Sequence, residues 1–168
     1  MKIRRAEISD AEAIAKVSAD TWQQAYRGIM SDEILAERRC SPERIESWRR
    51  RVKDTLNGAT AIYVAEDENG KVVGFAWGGV SKDNQVPRNM ELYAFYVHPN
   101  FQKKGYGQAL FETFRKYSTG RFYLYALQDN KKAADFYQKM GGVLMPEYAK
   151  DSPHSGHQKL KEACYFFE

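Results

Sequence analysis

The stretch that decides the fold is Val97-His-Pro-Asn-Phe-Gln-Lys-Lys-Gly-Tyr-Gly-Gln-Ala-Leu110. An apolar run at residues 90–97 leads into it and a helical pattern follows it, so the order is strand, glycine loop, helix. The two glycines let the backbone approach a ligand closely, and the first turn of the helix offers unpaired N–H groups at its positive end. Together these features predict an anion site, most often for phosphate, with Lys103 and Lys104 beside it.

The size and composition of the chain are those of one globular domain, residues 1–168. Hydrophobic residues make up 43% of the sequence, and there is no low-complexity segment. Neither a signal peptide nor a run of about 20 apolar residues is apparent, so we expect no membrane span. The two cysteines, Cys40 and Cys164, form no metal-type cluster and imply no disulfide framework, which favours a cytoplasmic location.

The net charge of +4 is mildly basic. The Lys and Arg clusters are scattered among acidic residues, and no nucleic-acid-binding motif is apparent, so we expect no nucleic acid partner. The basic balance also suits a polyphosphate cofactor. A basic nucleic-acid-binding domain stays open as an alternative, with strong salt-dependent DNA binding as its test.

The N-terminal part of the chain is predicted to hold one strand and three helices. A short strand at residues 2–6 comes first, and a capping box of Ser9 and Glu12 starts the first helix. Two further helices follow, the second started by Ser41-Pro42. That helix carries one apolar stripe: Ile45, Trp48, Val52 and Leu56.

From residue 61 onward the pattern changes to strands that alternate with helices. The predicted elements are, in order, a hairpin of strands 61–66 and 72–80 around an Asn-Gly turn, strand 90–97, helix 108–117, strand 121–127, a helix from Asp129-Asn130, and strands 143–145 and 160–167. This order predicts a mixed sheet covered by helices, in the α/β or α+β class.

Other chemistries of glycine loops fit this sequence less well. A dinucleotide-binding fingerprint needs a third glycine, and position 110 is leucine. The antiparallel hairpin before the loop also argues against a parallel dinucleotide fold. A Walker loop would need Gly-Lys-Ser/Thr at its end, which is absent.

Three motifs together resemble one known family. Val97-x-Pro-x-x-Gln102-x-x-Gly105-x-Gly107 resembles the acyl-CoA pyrophosphate loop of the GNAT superfamily of N-acetyltransferases. Asn130-x-x-Ala133-x-x-Phe136-Tyr137-x-x-x-Gly141 resembles its second cofactor motif, and Trp22-x-x-x-Tyr26-x-Gly28 resembles a segment of many members. The resemblance covers nearly the whole chain. It implies a mixed, mostly antiparallel six- to seven-stranded sheet, flanked by helices and splayed near its central strand, where the pantetheine arm enters.

The resemblance implies acetyl-CoA as the co-substrate and no metal. Backbone groups around Tyr96 and Val97 would bond the pantetheine amides as an added strand would. Asn130 and the pair Phe136-Tyr137 would flank the pantetheine and the thioester. The backbone amides expected to hold the pyrophosphate are those of Gln102, Lys103, Lys104, Gly105, Tyr106, Gly107 and Gln108.

Acetyl transfer to an amine needs a neutral nucleophile, a stabilised oxyanion and a proton for the departing thiolate. A phenol titrates near ~10 and a thiol near ~8.5, so Tyr137 stays protonated at neutral pH and can supply that proton. The resemblance also implies a general-acid tyrosine at this position. Glu91 matches an acidic position that several family members use as the base, often through water. A backbone N–H near Val97 is the predicted oxyanion donor.

The acceptor pocket is expected around Trp22, Tyr26 and Tyr93, together with the loop before Leu160. Aromatic rings and carboxylates suit a cationic amine. The layout resembles bacterial small-molecule acetyltransferases, including the polyamine-acetylating type, which implies direct attack by a primary amine in a ternary complex.

Several alternatives for function stay open. A protein N-terminus or a lysine side chain is the second candidate acceptor, and the chain could also be a non-catalytic acyl-CoA-binding module. The resemblance makes a homodimer possible. His154 and His157 titrate in a useful range, but two histidines without a third ligand predict no metal site.

Overall fold

The computed structural model describes residues 1–154 and 156–168, which form one twisted sheet with helices on both faces. The strands are β1 (Lys2–Arg5), β2 (Thr60–Glu66), β3 (Val72–Val80), β4 (Met90–Val97), β5 (Phe122–Leu127), β6 (Val143–Asp151) and β7 (Lys161–Phe167). The helices are α1 (Ala11–Ala25), α2 (Asp32–Glu37), α3 (Pro42–Asp54), α4 (Tyr106–Tyr117) and α5 (Lys131–Lys139). Short 3₁₀ turns lie at Ile8–Asp10, Thr55–Asn57 and Pro99–Phe101.

The sheet has the strand order β1-β2-β3-β4-β5-β7-β6. All neighbours pair antiparallel except β4 and β5, which run parallel. The prediction of a mixed, mostly antiparallel sheet flanked by helices is therefore confirmed. The register of β4 with β5 contains the single pair Glu91↔Tyr123 near the start of both strands. Beyond that pair no ladder joins the two strands in the described part of the chain, which leaves a gap toward their carboxyl ends.

A bulge in β4 lies at the point where the gap opens. Trp77 of β3 pairs with Ala94, but the next residue, Gly78, pairs with Leu92, so Tyr93 is the extra residue on β4. A bulge of this kind bends the strand and increases its twist. The bend therefore helps to turn the second half of β4 away from β5.

Two apolar cores lie on opposite faces of the sheet. On one face α1 and α3 pack through Ile14 and Trp48 onto β2 and β3. On the other face α4 and α5 pack through Phe111 and Tyr137 onto the centre of the sheet. Both cores continue up to the gap, so its walls are fixed by packing.

Two sequence predictions in the N-terminal part were wrong. The capping box at Ser9 does not form: the Asp10 carboxylate, held by Arg4 at 2.6 and 2.9 Å, accepts the Glu7 backbone N–H at 2.7 Å instead. The result is a 3₁₀ turn ahead of α1. Leu56 is 79% exposed, because the tighter turn after α3 takes it out of the helical period of its stripe.

The later elements match their predictions apart from their ends. α4 begins two residues earlier than expected, at Tyr106. β6 continues to Asp151, past Pro146, with an irregularity between Met145 and Lys150. As an edge strand it tolerates a proline, and its largely exposed residues lack the alternation that predicts a strand. In the described part of the chain, the helices are too short or too polar to cross a membrane.

Candidate active site

The gap between β4 and β5 exposes backbone groups of β4. His98 donates its backbone N–H to the Val73 carbonyl of β3 at 2.8 Å. Because such bonds alternate along an antiparallel pair, the backbone groups of Tyr96 also face β3, where it pairs with Phe75. The groups of Phe95 and Val97 then point into the gap. Of the two residues whose backbone groups were predicted to contact the pantetheine, Val97 faces the gap, whereas Tyr96 faces β3.

A cleft of about 680 Å³ follows this gap along β4, the glycine loop and α5. The predicted cofactor residues that line it are Tyr96, Val97, Gln102, Lys103, Gly105, Gly107, Gln108, Asn130, Phe136 and Tyr137. Two predicted residues are not in its lining. Lys104 places its Nζ 5.2 Å from the ring centre of Phe101, and the Tyr106 ring packs 5.9 Å from the same ring.

The glycine loop presents a row of backbone N–H groups to this cleft. Gly105 has a φ of +88° and precedes the first turn of α4, a conformation that glycine adopts without strain. The first helical bond runs from Ala109 N to the Gly105 carbonyl at 3.0 Å. The amides of residues 106–108 therefore have no acceptor within the helix. This geometry suits a phosphate group.

Side chains connect the glycine loop to β4 and α5. The Gln102 amide donates through Nε2 to the Val97 carbonyl at 2.9 Å, and Lys132 donates to Gln102 Oε1. Asn130 caps α5, because its Oδ1 accepts the Ala133 backbone N–H at 3.1 Å. The two cofactor motifs are thus held together before any ligand binds, and the bridge through Lys132 was not foreseen from the sequence.

Aromatic rings form the inner wall of the cleft. Phe136 stacks on Phe95 at 5.4 Å and meets the edge of Phe111 at 5.8 Å. Tyr137 is 8% exposed and lines the cleft. Its hydroxyl has no hydrogen-bond partner among the described residues, and burial raises its pKa above that of an ordinary phenol. Tyr137 therefore carries its proton at neutral pH.

A second, smaller cavity of about 160 Å³ adjoins the cleft. Both cavities are lined by Tyr26, Leu92, Tyr93, Tyr96, Tyr125 and Ala126, so they meet at the gap. The residues predicted for the acceptor site, Trp22, Tyr26 and Tyr93, all line the smaller cavity, as does Glu91. We call this cavity the acceptor pocket.

Glu91 is half-buried in the wall of the acceptor pocket. Its Oε2 accepts the Tyr123 hydroxyl at 2.8 Å. Burial raises the pKa of the Glu91 carboxyl, although the Tyr123 hydrogen bond and the charge of Lys150 oppose the rise. A raised pKa makes a carboxylate a stronger base, which suits proton transfer from an ammonium group.

Glu162 is a second carboxylate in the acceptor pocket, and sequence reasoning missed it. It is 8% exposed and accepts the Ser152 hydroxyl at 2.9 Å. Burial raises its pKa, and the nearby charge of Glu91 adds to the rise. The signal in the sequence was a single acidic residue near the start of the apolar strand β7. In the sheet, Glu162 pairs with Leu127 of β5.

Aromatic side chains surround these two carboxylates. Trp22 donates its indole N–H to the Tyr96 hydroxyl at 3.0 Å. Tyr93 donates to the Val80 carbonyl, and burial raises its pKa to about 12. Lys150 places its ammonium 3.4 Å from the ring centre of Tyr125. Lys150 and Tyr125 are further pocket residues that the sequence did not reveal.

The two histidines of the late loop differ in position. His154 lines the acceptor pocket and contacts Arg38 Nη2 through Nδ1 at 3.1 Å. His157 is exposed and lines neither cavity. Within residues 1–154 and 156–168, no cluster of three or more His, Cys, Asp or Glu side chains could hold a metal ion.

Comparison with known proteins identifies the class and the family of the chain. A splayed mixed sheet with a phosphate-binding loop beside an acceptor pocket is the architecture of an acyltransferase. The family model described as "Acetyltransferase (GNAT) family" matches residues 22–142, and the chain belongs to this family. Membership confirms the predictions that the chain is an acetyl-CoA-dependent N-acetyltransferase and that acetyl-CoA is its co-substrate.

Relatives and solved structures support the assignment along the whole chain. An uncharacterized N-acetyltransferase of Bacillus subtilis, YuaI, is 31% identical over 165 residues, which cover 95% of this chain and 88% of the relative. The PaiA N-acetyltransferase of Thermoplasma acidophilum, solved with coenzyme A, has a TM-score of 0.78 at 19% identity, covering 97% and 96% of the two chains. The acetyltransferase YncA of Salmonella typhimurium, solved with acetyl-CoA, has a TM-score of 0.74 at 18% identity, covering 98% and 91%. At these identities, the two solved structures show the fold alone.

Proposed function

We propose that the protein moves the acetyl group of acetyl-CoA to the primary amine of a small cationic molecule, such as a polyamine, by direct attack in a ternary complex. The observation that carries this proposal is the junction of two cavities at the gap between β4 and β5. The larger cleft has the free backbone groups that a cofactor with phosphate and amide groups needs. The smaller pocket has carboxylates and aromatic rings for a cation.

The cleft fits acetyl-CoA through two sets of backbone groups, the first-turn amides of α4 and the gap-facing edge of β4, where the Val97 carbonyl already accepts the Gln102 side chain. The amides of residues 106–108 hold the pyrophosphate at the start of α4. The edge of β4 at Phe95 and Val97 bonds the pantetheine amides as a neighbouring strand would. Two structural neighbours of the same fold were solved with coenzyme A or acetyl-CoA, which supports a ligand of this type.

Three groups of the chain perform the transfer. Glu91, directly or through a water molecule, accepts a proton from the ammonium form of the acceptor, which frees the nitrogen lone pair. The amine nitrogen then attacks the thioester carbonyl carbon while a β4 backbone N–H at Phe95 or Val97 donates to the oxyanion. The C–S bond breaks as Tyr137 donates its proton to the sulfur, and CoA leaves as the thiol.

The charge and shape of the acceptor pocket select a slender cation. Two carboxylates, those of Glu91 and Glu162, line the pocket and attract a cation when they are ionised, while the charge of Lys150 offsets part of that attraction. The ring of Tyr93, which also lines the pocket, adds cation–π attraction. A cavity of about 160 Å³ admits a thin alkylamine chain more readily than a folded protein surface.

An acetylation screen tests the proposal. Release of free thiol from acetyl-CoA is followed with spermidine, simple mono- and diamines, and peptides that offer a free N-terminus or a lysine. We expect the highest kcat/KM with a small amine, and a loss of about 100-fold for Glu91→Gln at neutral pH. Asp151→Asn, at an exposed strand end outside both cavities, is the matched control and should retain wild-type activity.

Other outcomes of the screen would overturn parts of the proposal. Activity confined to the peptides would replace the small amine with a protein acceptor. Calorimetric binding of acetyl-CoA without thiol release over the whole panel would indicate a binding module. The cytoplasmic location, the single domain over residues 1–168 and the homodimer stay predictions; cell fractionation, limited proteolysis and sedimentation test them in turn.

A further inference from the structure

We propose that Tyr123 and Ser81 are positioning residues that orient the Glu91 carboxylate and set the pH at which it takes up a proton. The inference rests on the proposed role of Glu91 as the base. It concerns two side chains outside both cavities, which no sequence motif singled out. Neither touches the reacting atoms, so both act through Glu91.

A chain of hydrogen bonds runs from the loop after β3 to the base. The Asp83 backbone N–H donates to Ser81 Oγ at 3.1 Å, Ser81 Oγ lies 2.7 Å from the Tyr123 hydroxyl, and that hydroxyl donates to Glu91 Oε2 at 2.8 Å. An ionised carboxylate only accepts hydrogen bonds. Because Tyr123 gives its proton to Glu91, its oxygen is left to accept the proton of Ser81.

The direction of this chain is therefore fixed from the backbone to the carboxylate. Ser81 has one alternative acceptor, the Asp83 carbonyl, but at 3.3 Å it is the weaker contact. Because each hydrogen bond in the chain donates in the direction of Glu91, each one polarises and strengthens the next. The chain stabilises the ionised form of Glu91 against the cost of its partial burial.

The position of Tyr123 in the fold makes this contact rigid. Tyr123 is fully buried, at 0% exposure. It is also the β5 residue of the single pair that joins β4 to β5, opposite Glu91 itself. The base is thus fixed at the point where the gap begins, and the flanking strands hold both partners. Among the described residues Glu91 has only the Tyr123 hydroxyl as a donor, so its Oε1 is left for the acceptor amine or a water.

Other charged and titratable groups around Glu91 define the background for a pH test. They come from the strand of Glu91, the loop, β5, β6 and β7: Tyr93, Lys82, Asp83, Tyr123, Tyr125, Lys150, Glu162 and Cys164. Burial raises the pKa of Glu91, whereas the Tyr123 hydrogen bond lowers it. Removal of that hydrogen bond should therefore raise the pKa further.

The test uses Tyr123→Phe and Ser81→Ala in the full-length protein. Glu91 is titrated through its carboxyl carbon by ¹³C NMR, with Glu91→Gln to assign the signal. The pH profile of kcat/KM is measured with acetyl-CoA and spermidine, or with the best amine of the panel. For Tyr123→Phe we expect both the Glu91 midpoint and the acid limb to move up by about one pH unit, which is about a tenfold loss of kcat/KM on that limb.

The serine variants and one control separate positioning from general damage. Ser81→Ala should move both midpoints in the same direction by a smaller amount, and Ser81→Thr, which keeps the hydroxyl, should restore them. Tyr148→Phe is the matched control: its ring stacks on Phe166 at 5.3 Å in the same aromatic cluster as Tyr123, but it does not contact Glu91. It should leave both midpoints unchanged.

The possible results distinguish failure of this inference from failure of the proposed function. A Glu91 midpoint that stays in place in both Tyr123→Phe and Ser81→Ala overturns the inference, even if kcat/KM falls uniformly. If Tyr123→Phe does not fold, Ser81→Ala alone decides. If the acid limb of the kcat/KM profile survives in Glu91→Gln, Glu91 is not the base, and the kinetic part of the inference fails with the proposed function. The NMR titration of the wild type and of Tyr123→Phe still reports whether Tyr123 sets the pKa of Glu91.

Discussion

The substitution Tyr137→Phe isolates one hydroxyl at the centre of the proposed mechanism. The ring of Tyr137 belongs to the aromatic core beside Phe111 and Tyr165, and phenylalanine preserves that packing. The hydroxyl has no hydrogen-bond partner among the described residues, so its removal breaks no contact there. The free energy of unfolding should therefore change by less than about 0.5 kcal/mol.

The catalytic effect should be much larger than the structural one. General-acid catalysis typically contributes about 10² to 10⁴ in rate, and a loss of 100-fold corresponds to about 2.7 kcal/mol in the activation free energy. The loss should appear in kcat, since the proton is transferred only in the reaction itself. Because burial raises the pKa of Tyr137 above the ordinary ~10, this proton should not limit the wild-type rate below about pH 10.

The assay is thiol release at saturating amine, paired with calorimetric binding of acetyl-CoA. We expect kcat to fall about 100-fold, with the dissociation constant of acetyl-CoA unchanged within about twofold. Tyr165→Phe is the control, since its ring lies 5.8 Å from Tyr137 and is 4% exposed. Wild-type turnover in Tyr137→Phe, or an equal loss in Tyr165→Phe, would remove Tyr137 from the mechanism.

Four further substitutions test other parts of the structure. Gly105→Ala should lower the free energy of unfolding by about 1 kcal/mol, because a φ of +88° strains any other residue. Gly107→Ala should keep the wild-type melting temperature, since its Cβ would lie no closer than 3.6 Å to any side chain. It should nevertheless bind acetyl-CoA at least about tenfold more weakly, because its methyl group enters the cleft. Arg4→Met should cost about 3 kcal/mol in urea unfolding at pH 7, because it removes the shared ion-pair partner of the Asp10 and Glu66 carboxylates. Burial favours a higher pKa for Asp10, but the hydrogen bonds from Arg4 and the Glu7 backbone lower it overall. The stability that ionised Asp10 contributes is therefore present above about pH 4 and is lost as the pH falls through the lowered pKa. The wild type and Arg4→Met should then approach the same free energy of unfolding in acid. Phe111→Ala should lower the free energy of unfolding by about 4 kcal/mol, measured by the same method, because the ring is fully buried.

Features that depend on neighbours in the sequence were predictable. Ser41 and Asn130 cap their helices through bonds to residues three positions later, and Gly105 turns the chain at the start of α4. The pattern of apolar residues predicted the bounds that β3 and β4 have in the structure. The site elements that resemble the family are also local motifs, so the donor could be named from the sequence.

Features that depend on contacts across the sheet were not predictable in the same way. Glu162 enters the acceptor pocket because β7 inserts between β5 and β6, and no local pattern fixes that order. Tyr123 meets Glu91 across 32 positions and Ser81 across 42. The capping box predicted at Ser9 does not form for a similar reason: Arg4 of β1 binds the neighbouring Asp10 carboxylate.

In the proposed complex, the gap between β4 and β5 serves both substrates. An unpaired strand edge is ordinarily a liability, and here β4 keeps its edge open because β5 is held elsewhere, by pairing along its length with β7. Phe95 stacked on Phe136 supports one side of the gap, and Trp22 bonded to Tyr96 supports the other. The edge is therefore open before binding, so in the proposed complex acetyl-CoA would gain strand-like hydrogen bonds without a rearrangement of the sheet. Since the smaller cavity opens on the same gap, bound acetyl-CoA would complete one of its walls in the proposed complex, which favours an order in which acetyl-CoA binds before the amine.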